Sequence, residues 1–354
     1  MGVRVCHITS ATEMIYGAVH SMMTLAEAQR AAGDEVTMIG FAGKPFCAAA
    51  RARGFNVGEV RNRFKVDPFA ARRVSEMLKD ARVQVVHTHL STSSITGCLA
   101  AKRVGIPCVS TVHGMSGKLS FTFADHLIGV SEGVKGHLVK QGISPSKITA
   151  IHNGIARPAS LPTKSEARFK FSIPEDAFCF GTVARLTELK GIEHAIRAFD
   201  KIVAEMPNAL YLIAGNGNQE THLKQVADQL GLGHRVKFVG YQEDVFGFLR
   251  TLDVFLFPSL KEAMGMSVAE ALACGLPIVS TDVGGLPEVV TTQVGVLVPP
   301  AQPAAMATAA LALVTASNFD KFGERAEERW REQFSVETMR SRTQQVYELL
   351  GVST

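Results

Sequence analysis

Apolar residues form short continuous runs along the first half of the chain, and amphipathic stretches separate these runs. Val3–Ile8, Glu35–Ile39 and Val83–His87 each fit a buried strand, and the stretches between them fit helices. The other predicted elements of this half are helices over Val19–Ala32, Pro68–Ala81 and Ser94–Val104 and strands over Pro107–Val112 and Leu127–Val130. Because apolar strands alternate with helices, the pattern predicts a parallel sheet with helices on both faces.

The alternation stops near residues 151–163 and then restarts. The second series comprises strands over Cys179–Thr182, Leu210–Ala214, Val236–Val239, Val254–Phe257 and Ile278–Thr281 and helices over Gly191–Met206, Glu220–Leu230, Val245–Leu252 and Met266–Cys274. We therefore predict an α/β fold of two doubly wound, Rossmann-like domains that face each other across a cleft. The first domain is residues 1–157, joined by the C-terminal helix of residues 336–354, and the second is residues 158–335.

Composition places the chain among soluble globular proteins. It has 354 residues, 46% of them hydrophobic, and no apolar run reaches the roughly 18 residues of a membrane-spanning helix. The sequence opens directly on a predicted strand, so we expect no signal peptide. Six scattered cysteines without Cys-x-x-Cys spacing indicate reduced thiols rather than a disulfide framework or a zinc site. These features favour a cytoplasmic location.

Charge is distributed unevenly between the two halves. Residues 1–150 hold 18 basic and 10 acidic residues, whereas the remainder holds 19 and 23. Nine of the basic residues fall within residues 51–82, interleaved with Phe55, Phe64, Val66 and Phe69. This mixture suits an anionic membrane surface or an acidic acceptor, although a solvated basic face remains the simpler interpretation.

The most informative stretch runs from Pro258 to Gly275. It connects a predicted buried strand to the N-terminus of a predicted helix, where backbone N–H groups and the helix dipole favour an anion. Glu262 precedes the helix and Glu270 lies inside it. One interpretation is that the two carboxylates flank a ligand at the start of the helix. The alternative is that Glu262 caps the helix and Glu270 is a solvated helical residue.

Two cations follow another predicted strand of the same domain. Arg185 and Lys190 lie in the loop that opens the helix at Gly191, where they can converge on a diphosphate. In isolation they are equally well explained as surface cations. Gly215-Asn216-Gly217 begins like a dinucleotide fingerprint but lacks the third glycine, because Glu220 occupies that position.

Metal and hydrolase motifs are scarce. There is no Asp-x-Asp pair, no Gly-x-Ser-x-Gly elbow and no phosphate loop of the Walker type. His87-Thr88-His89, at a strand end, is the best candidate for a metal, but we expect its two imidazoles to point to opposite faces of the sheet. We predict neither a metal nor another cofactor.

An ordered series of motifs in the second half resembles that of the retaining glycosyltransferases of family 4, which have the GT-B fold. The series comprises Arg185-Leu186-x-x-x-Lys190-Gly191, Ala214-Gly215-x-Gly217, Val236-x-Phe238-x-Gly240, Asp253-Val254-Phe255 to Pro258-Ser259, Glu262-Ala263-x-Gly265 with Glu270, Ala273-Cys274-Gly275-x-Pro277-Ile278-Val279, and Val283-Gly284-Gly285-x-x-Glu288. The first half is similar more loosely, at Gly17, Gly33, His113, Ser131 and Asn153-Gly154.

The resemblance implies a transferase that moves a sugar from a nucleotide-sugar donor, UDP-linked by expectation, to a glycan or lipid-linked acceptor in cell-surface polysaccharide or glycolipid synthesis. It implies catalytic roles for His113, Arg185, Lys190 and Glu262 without a metal. The implied donor-binding residues are Gly17, Arg185, Lys190, Gly215, Tyr241, Glu262, Ala263, Met264, Gly265, Met266 and Glu270. The implied acceptor-side residues are Tyr16, His113 and Asn153.

Within this scheme the two cations hold the donor diphosphate, Glu270 binds the ribose, and Glu262 binds sugar hydroxyls and phosphate with nearby backbone N–H groups. The sequence departs from the family at three positions. Tyr16 replaces the first of two loop glycines, Ala156 replaces a common acid, and Ala263 replaces a glycine after Glu262.

Two other functions fit a domain pair of this kind. One is a sugar-nucleotide epimerase, which would change the donor in the absence of any acceptor. The other is a non-catalytic protein that binds a nucleotide sugar, which would bind the donor without transferring it. A peripheral association with the inner face of the membrane is a separate hypothesis, based on the basic first half.

Overall fold

A computed structural model describes residues 2–11 and 17–353, so the expectation for Tyr16 lies outside the described residues. The chain divides into two compact units. The first unit comprises residues 1–156 and 333–354, and the second comprises residues 157–332.

The described strands are β1 (Arg4–Thr9), β2 (Glu35–Phe41), β3 (Asn56–Val60), β4 (Val85–His89), β5 (Cys108–Val112), β6 (His126–Gly129), β7 (Ile148–Ala150), β8 (Phe178–Val183), β9 (Ala209–Ala214), β10 (Val236–Gly240), β11 (Val254–Phe257), β12 (Ile278–Thr281) and β13 (Gly295–Val298). The described α-helices are α1 (Gly17–Ala31), α2 (Pro45–Ala52), α3 (Pro68–Asp80), α4 (Ser91–Val104), α5 (Glu132–Lys140), α6 (Lys164–Lys170), α7 (Ile192–Glu205), α8 (Glu220–Gln229), α9 (Val245–Leu249), α10 (Met266–Ala273), α11 (Leu286–Val289), α12 (Pro303–Val314), α13 (Phe319–Arg329) and α14 (Val336–Leu349). None of these helices is long and apolar enough to cross a bilayer.

The first unit is built on a seven-stranded sheet in the order β3-β2-β1-β4-β5-β6-β7, and its neighbouring strands pair in parallel. The strand order reverses between β1 and β4. In open α/β sheets ligands bind at such a reversal, beyond the carboxyl ends of the strands. The predicted parallel sheet is confirmed.

Helix α14 completes the first unit although it lies at the far end of the chain. Its Tyr347 is fully buried, with the hydroxyl 2.7 Å from Nδ1 of His87 in β4. Near the start of the helix, the backbone N–H of Gly154 contacts the sulfur of Met339 at 3.1 Å. The backbone N–H of Ile155 also donates to the carbonyl of Phe334 at 2.8 Å.

The second unit repeats this architecture with a six-stranded parallel sheet in the order β10-β9-β8-β11-β12-β13. Its core is a continuous apolar cluster in which α7 and α12 pack on the sheet. This cluster includes the fully buried Phe180, Phe199 and Tyr211. Here the strand order reverses between β8 and β11. The doubly wound, Rossmann-like architecture predicted for each half is therefore the observed one.

Two elements were missed between residues 42 and 67. Helix α2 and strand β3 interrupt a segment for which only charge and aromatic content had been considered. Strand β3 pairs with β2 alone, at the edge of its sheet, and Gly58 and Glu59 interrupt its apolar pattern. Because an edge strand has one neighbour and one exposed side, it needs no continuous apolar run, and the periodicity signal is weak.

Candidate functional site

The loops that follow β8 and β11 lie side by side in the second unit, because these two strands are adjacent where the strand order reverses. The loop after β8 carries Arg185 and Lys190, and the loop after β11 carries Glu262. The backbone joins them directly, since the N–H of Leu260 donates to the carbonyl of Leu189 at 2.8 Å. Glu262 is distant in the sequence from Arg185 and Lys190, yet all three charged residues thus belong to one loop cluster.

Lys190 and Glu262 form an ion pair in this cluster. The ammonium contacts Oε2 of the carboxylate, and both side chains are largely buried, with 18% and 15% of their surface exposed. The other carboxylate oxygen accepts a hydrogen bond from the N–H of Ala263 at 3.1 Å. Beneath the pair, Nζ of Lys190 lies 5.2 Å from the ring centroid of Phe257. An ion pair with so little exposed surface is costly to build, and this one lies at the carboxyl edge of the strands, where open α/β sheets bind ligands.

Two glycines allow the loops to approach each other this closely. Gly191 has a φ of +61°, and a Cβ there would lie 2.2 Å from the carbonyl oxygen of Pro258. Gly284 has a φ of +58°, and a Cβ there would lie 1.7 Å from the carbonyl oxygen of Glu262. Any other residue at either position would displace the backbone around the ion pair.

Arg185 differs from Lys190 in being exposed, and no ion pair of its guanidinium is found within the described residues. Its loop is nevertheless held in place, because the N–H of Leu186 donates to the carbonyl of Asn216 at 2.8 Å. Gly215 adjoins this loop, and its N–H bonds to the carbonyl of Gly240 at 2.8 Å. Tyr241, the residue after Gly240, is 59% exposed. The structure therefore places Arg185, Gly215 and Tyr241 on consecutive loops at the same edge of the sheet.

Helix α10 begins beside the ion pair. Gly265 is its N-cap residue, with a φ of +90° and no side chain to bond the first-turn N–H groups. Met264 before it is buried, and Met266 is the first helical residue. The positive end of the helix dipole therefore lies next to Glu262 without a capping carboxylate of its own.

Glu270 lies one turn further along α10. Burial raises the pKa of its carboxyl to about 7, and no hydrogen bond to this carboxyl is found in the part of the chain that the structure describes. A carboxylate that is desolvated but not paired within the protein is a common feature of ligand sites. Glu270 is only partly exposed, so it is not a fully solvated helical residue.

In the first unit, the expectation that His87 and His89 diverge is wrong. Residues two apart on a strand share a face, and the two imidazoles are stacked with ring centroids 4.5 Å apart. His7 stands beside His87 in the parallel register of β1 and β4 and joins the same stack. The three rings present nitrogens within 4.8 Å of one another, close enough for one metal ion.

These rings form a hydrogen-bonded chain, however, which we call the histidine chain and define as His113, His89, His7, Gln29, Tyr347, His87 and Thr111. His113 Nε2 lies 3.1 Å from His89 Nδ1, and His89 Nε2 lies 3.0 Å from His7 Nδ1. His7 Nε2 lies 2.7 Å from Oε1 of Gln29, whose amide nitrogen donates to the Tyr347 hydroxyl at 3.3 Å. All six ring nitrogens of His7, His87 and His89 have hydrogen-bond partners within this protein.

The other residues predicted for the first unit lie at separate places. His113 follows β5 at the end of the histidine chain and is partly buried. Gly17 is exposed at the start of α1. Asn153 is buried and accepts a hydrogen bond from the Ser21 hydroxyl at 2.7 Å, which fixes it to α1.

The histidine chain that supports His113 was not predicted from the sequence. A signal was present, because His7 and His87 lie in predicted apolar strands and His89 closely follows one, where polar residues are costly to bury. Gln29 and Tyr347 carried no such signal, since they are 318 residues apart and meet only through the packing of α14 on α1.

Comparisons with known proteins agree with this architecture. Residues 163–332 match the family model described as Glycosyl transferases group 1, and residues 15–157 match the model described as Glycosyltransferase Family 4. Together the two models cover most of the chain.

Several curated proteins are similar in sequence. The chain is 29% identical to the UDP-Gal:alpha-D-GlcNAc-diphosphoundecaprenol alpha-1,3-galactosyltransferase of Escherichia coli, over 59% of this chain and 60% of that protein. It is 26% identical to the N-acetyl-alpha-D-glucosaminyl L-malate synthase of Bacillus anthracis, over 78% of this chain and 77% of that protein. The chain thus spans less than two thirds of the length of the first of these relatives.

Solved structures are similar in fold. A glycosyltransferase from Rickettsia africae superposes over the whole of both chains, with a TM-score of 0.89 and 20% identity. The Anabaena protein HepE, in complex with UDP and glucose, superposes over 99% of this chain and all of its own, with a TM-score of 0.81 and 20% identity.

Proposed function

We propose, on the premise that this chain belongs to the family 4 glycosyltransferases of GT-B fold, that it transfers a sugar from a UDP-linked donor to a glycan or lipid-linked acceptor with retention of the anomeric configuration. The observation that carries the proposal is the largely buried pair of Lys190 and Glu262 beside the exposed Arg185, at the reversal of the second sheet. The epimerase alternative receives no support from the comparisons.

The charges in this loop cluster match what donor cleavage requires. When the bond between the sugar and the β-phosphate breaks, negative charge develops on the leaving diphosphate. Arg185, Lys190 and the N-terminus of α10 stabilise this charge more strongly in the transition state than in the ground state. Glu262 holds Lys190 in place and accepts hydrogen bonds from sugar hydroxyls. We expect the reaction to need no metal, since the cations supply the positive charge.

Bond changes in this scheme occur on one face of the sugar. The C1–O bond to the β-phosphate breaks while the acceptor oxygen forms its bond to C1 from the same side. The acceptor proton moves to the departing β-phosphate oxygen, so no protein nucleophile is required. His113 takes a place next to the transferred sugar and its acceptor. Tyr16 and Asn153 are proposed for the acceptor side, and Gly17 is proposed to approach the donor phosphates.

The donor nucleotide is assigned to the edge formed by Gly215, Tyr241 and α10, with Glu270 accepting hydrogen bonds from the ribose hydroxyls. Ala263, Met264, Gly265 and Met266 supply backbone at the sugar and diphosphate. A carboxylate that gains two hydroxyl donors is stabilised in its charged form.

The affinity for UDP is therefore expected to depend on pH through Glu270. Because burial raises the pKa of this carboxyl to about 7, it is largely protonated at pH 6 and charged at pH 8. Binding favours the charged form, so the Kd of UDP should fall about 10-fold from pH 6 to pH 8. Isothermal titration calorimetry of the wild type and of Glu270→Gln measures this. Both proteins share the titration of UDP itself, so an equal pH slope in the two would contradict the assignment.

The acceptor is proposed to belong to cell-surface polysaccharide or glycolipid synthesis, as the substrate named for the Escherichia coli relative suggests. We place the reaction in the cytoplasm, where the chain works at the inner face of the membrane as a peripheral protein. The observation in favour is an exposed patch in the first unit, formed by Phe64, Val66 and Phe69 with 69%, 54% and 80% of their surface exposed.

Exposed basic side chains neighbour this patch in the sequence. Arg63 and Lys65 alternate with its apolar residues, and Arg72 and Arg73 follow on α3. Phe55, by contrast, is buried beneath the guanidinium of Arg30 and takes no part in the patch. Apolar side chains among cations suit insertion into an anionic bilayer surface.

Co-sedimentation with vesicles tests this association. We expect binding to vesicles of phosphatidylglycerol and phosphatidylcholine that weakens with added salt, and little binding to phosphatidylcholine alone. The double variant Phe64→Ser/Phe69→Ser should lose most of it. Phe169→Ser removes an equally exposed phenylalanine of the second unit, 88% exposed, and serves as the matched control. Equal binding to anionic and neutral vesicles at low salt would contradict the proposal.

A further inference from the structure

The histidine chain of the first unit has a direction. Oε1 of Gln29 can only accept, so the Nε2 of His7 must donate to it, and the Nδ1 of His7 must then accept. His89 consequently donates from Nε2 to His7 and accepts at Nδ1. By the same logic His113 donates from its Nε2 to His89.

The amide of Gln29 also has a partner on the side away from His7. Its nitrogen donates to the Tyr347 hydroxyl, which in turn donates to Nδ1 of His87 at 2.7 Å. His87 then donates from Nε2 to the hydroxyl of Thr111 at 2.6 Å. Every hydrogen bond from His113 to Thr111 thus has the same direction, and reversing one of them would require reversing the others.

Burial keeps the histidines of this chain neutral at neutral pH. It lowers the pKa of His7 and His113 to about 4 and holds the pKa of His87 and His89 well below the ordinary value. A neutral imidazole has one donor and one acceptor nitrogen, so the direction of the chain decides which nitrogen of each ring carries the hydrogen.

The histidine chain ends at Nδ1 of His113. Nδ1 of His113 is buried, and no hydrogen bond to it is found in the described part of the chain. A buried polar atom left unpaired costs free energy unless a ligand satisfies it.

We propose that His89, His7 and Gln29 are positioning residues that hold His113 as the Nε2–H tautomer, so that its Nδ1 accepts a hydrogen bond from a hydroxyl of the bound sugar or acceptor. The identity of that hydroxyl donor rests on the proposed function. The direction of the histidine chain does not rest on the proposed function, because it follows from contacts within the first unit. Gln29 sets the tautomer from the far end of three imidazoles.

Two substitutions of Gln29 separate this role from packing. Gln29→Glu keeps an acceptor toward His7 and should preserve the tautomer. Gln29→Met has a similar volume but no acceptor, so the N–H of His7 loses its partner and the reversed chain becomes favourable. His113 would then present an N–H instead of an acceptor. His126→Gln replaces another buried histidine of the same sheet, bonded to Thr149, and is the control.

Nitrogen-15 NMR of histidine-labelled protein without substrate reads the tautomer of each ring. We expect Nε2–H at His113 in the wild type, in Gln29→Glu and in His126→Gln, and a shift toward Nδ1–H in Gln29→Met. For UDP-sugar turnover we expect Gln29→Met to lower kcat about 10-fold with the affinity for UDP unchanged, and Gln29→Glu to restore kcat to near the wild-type value.

An Nδ1–H tautomer in the wild type would overturn the proposal, and so would the same tautomer in Gln29→Met as in the wild type. The wild-type spectrum alone decides the matter if a variant fails to fold. Absence of turnover with every nucleotide sugar would count against the proposed function, and the tautomers would still decide the direction of the chain.

Discussion

Replacing Lys190 with methionine is expected to lower kcat for sugar transfer by at least about 10²-fold, the usual cost of removing one group that stabilises developing negative charge. Methionine keeps an unbranched stem against the ring of Phe257 but removes the ammonium that contacts Glu262. The measurement is the steady-state release of UDP from the donor in the presence of acceptor.

Lys224→Met is a closely matched control. Lys224 also pairs with a glutamate, Glu220 at 2.7 Å, and its Nζ also lies over an aromatic ring, that of Phe238 at 5.6 Å. It is 51% exposed on α8, however, and no part in the reaction is proposed for it. Equal kcat values for the two variants would refute the role of Lys190.

The loss of activity must also be separated from a loss of stability, because Lys190→Met leaves the carboxylate of Glu262 buried without its cation. Removing one partner of a fully buried ion pair destabilises a fold by about 3–5 kcal/mol, so we expect a smaller loss for this partly exposed pair. The double variant Lys190→Met/Glu262→Gln removes both charges and should recover much of the stability. Turnover should remain as low as in the single variant. Recovery of turnover together with stability would show that the ion pair has only a structural role.

A second large effect is expected for Asp253→Asn, and here it falls on stability. Asp253 precedes β11, and its Oδ2 accepts the N–H of Cys179 in β8 at 2.7 Å. The same carboxylate pairs with Arg168 at 2.9 Å and with Lys164. Arg168 is only 3% exposed, so an asparagine leaves a buried guanidinium without its counterion.

We expect Asp253→Asn to lower the free energy of unfolding of the second unit by about 3–5 kcal/mol. Urea unfolding followed by the fluorescence of Trp330, the only tryptophan of the chain, measures this. The exposed pair of Glu220 and Lys224 gives the comparison, because Glu220→Gln should change stability by less than about 1 kcal/mol. UDP affinity at low urea should stay near the wild-type value. A destabilisation no larger than that of Glu220→Gln would contradict the account.

Asp253 also shows what an ordered motif can and cannot indicate. Asp253-Val254-Phe255 belongs to the series that revealed the family, yet this carboxylate ties the starts of β8 and β11 together. Arg185 and Lys190 belong to the same series and lie at the opposite, carboxyl ends of the strands. A motif alone does not say which end of a strand its polar residue serves, whereas the parallel register does.

The parallel sheets and the two series of strands and helices could be predicted from the sequence, because most central strands are rich in apolar residues and alternate with helical stretches. β11 and β12 have the predicted bounds, Val254–Phe257 and Ile278–Thr281. The edge strand β3 could not be predicted, since one exposed side leaves it little apolar content. The loops around Glu262 could be assigned to one edge of the sheet, but the ion pair with Lys190 could not.

The histidine chain could not be predicted from the sequence for a different reason. A hydrogen-bonded network requires each member to find a partner of the right type, and the partners come from β1, β4, β5, α1 and α14. Local periodicity indicates which face a residue occupies but carries no information about such distant pairs. Only the packing of α14 on α1 brings Tyr347 to Gln29 and His87.

The central claim, retaining transfer from a UDP-sugar without a metal, is tested most directly by proton NMR of the products. The wild type is incubated with UDP-α-sugars and EDTA, with and without a pool of lipid-linked and free glycan acceptors. We predict release of UDP only when an acceptor is present, and an anomeric signal of the transferred sugar that shows an α-linkage. A β-linkage, a requirement for added metal, or a new nucleotide sugar formed without acceptor would contradict the account.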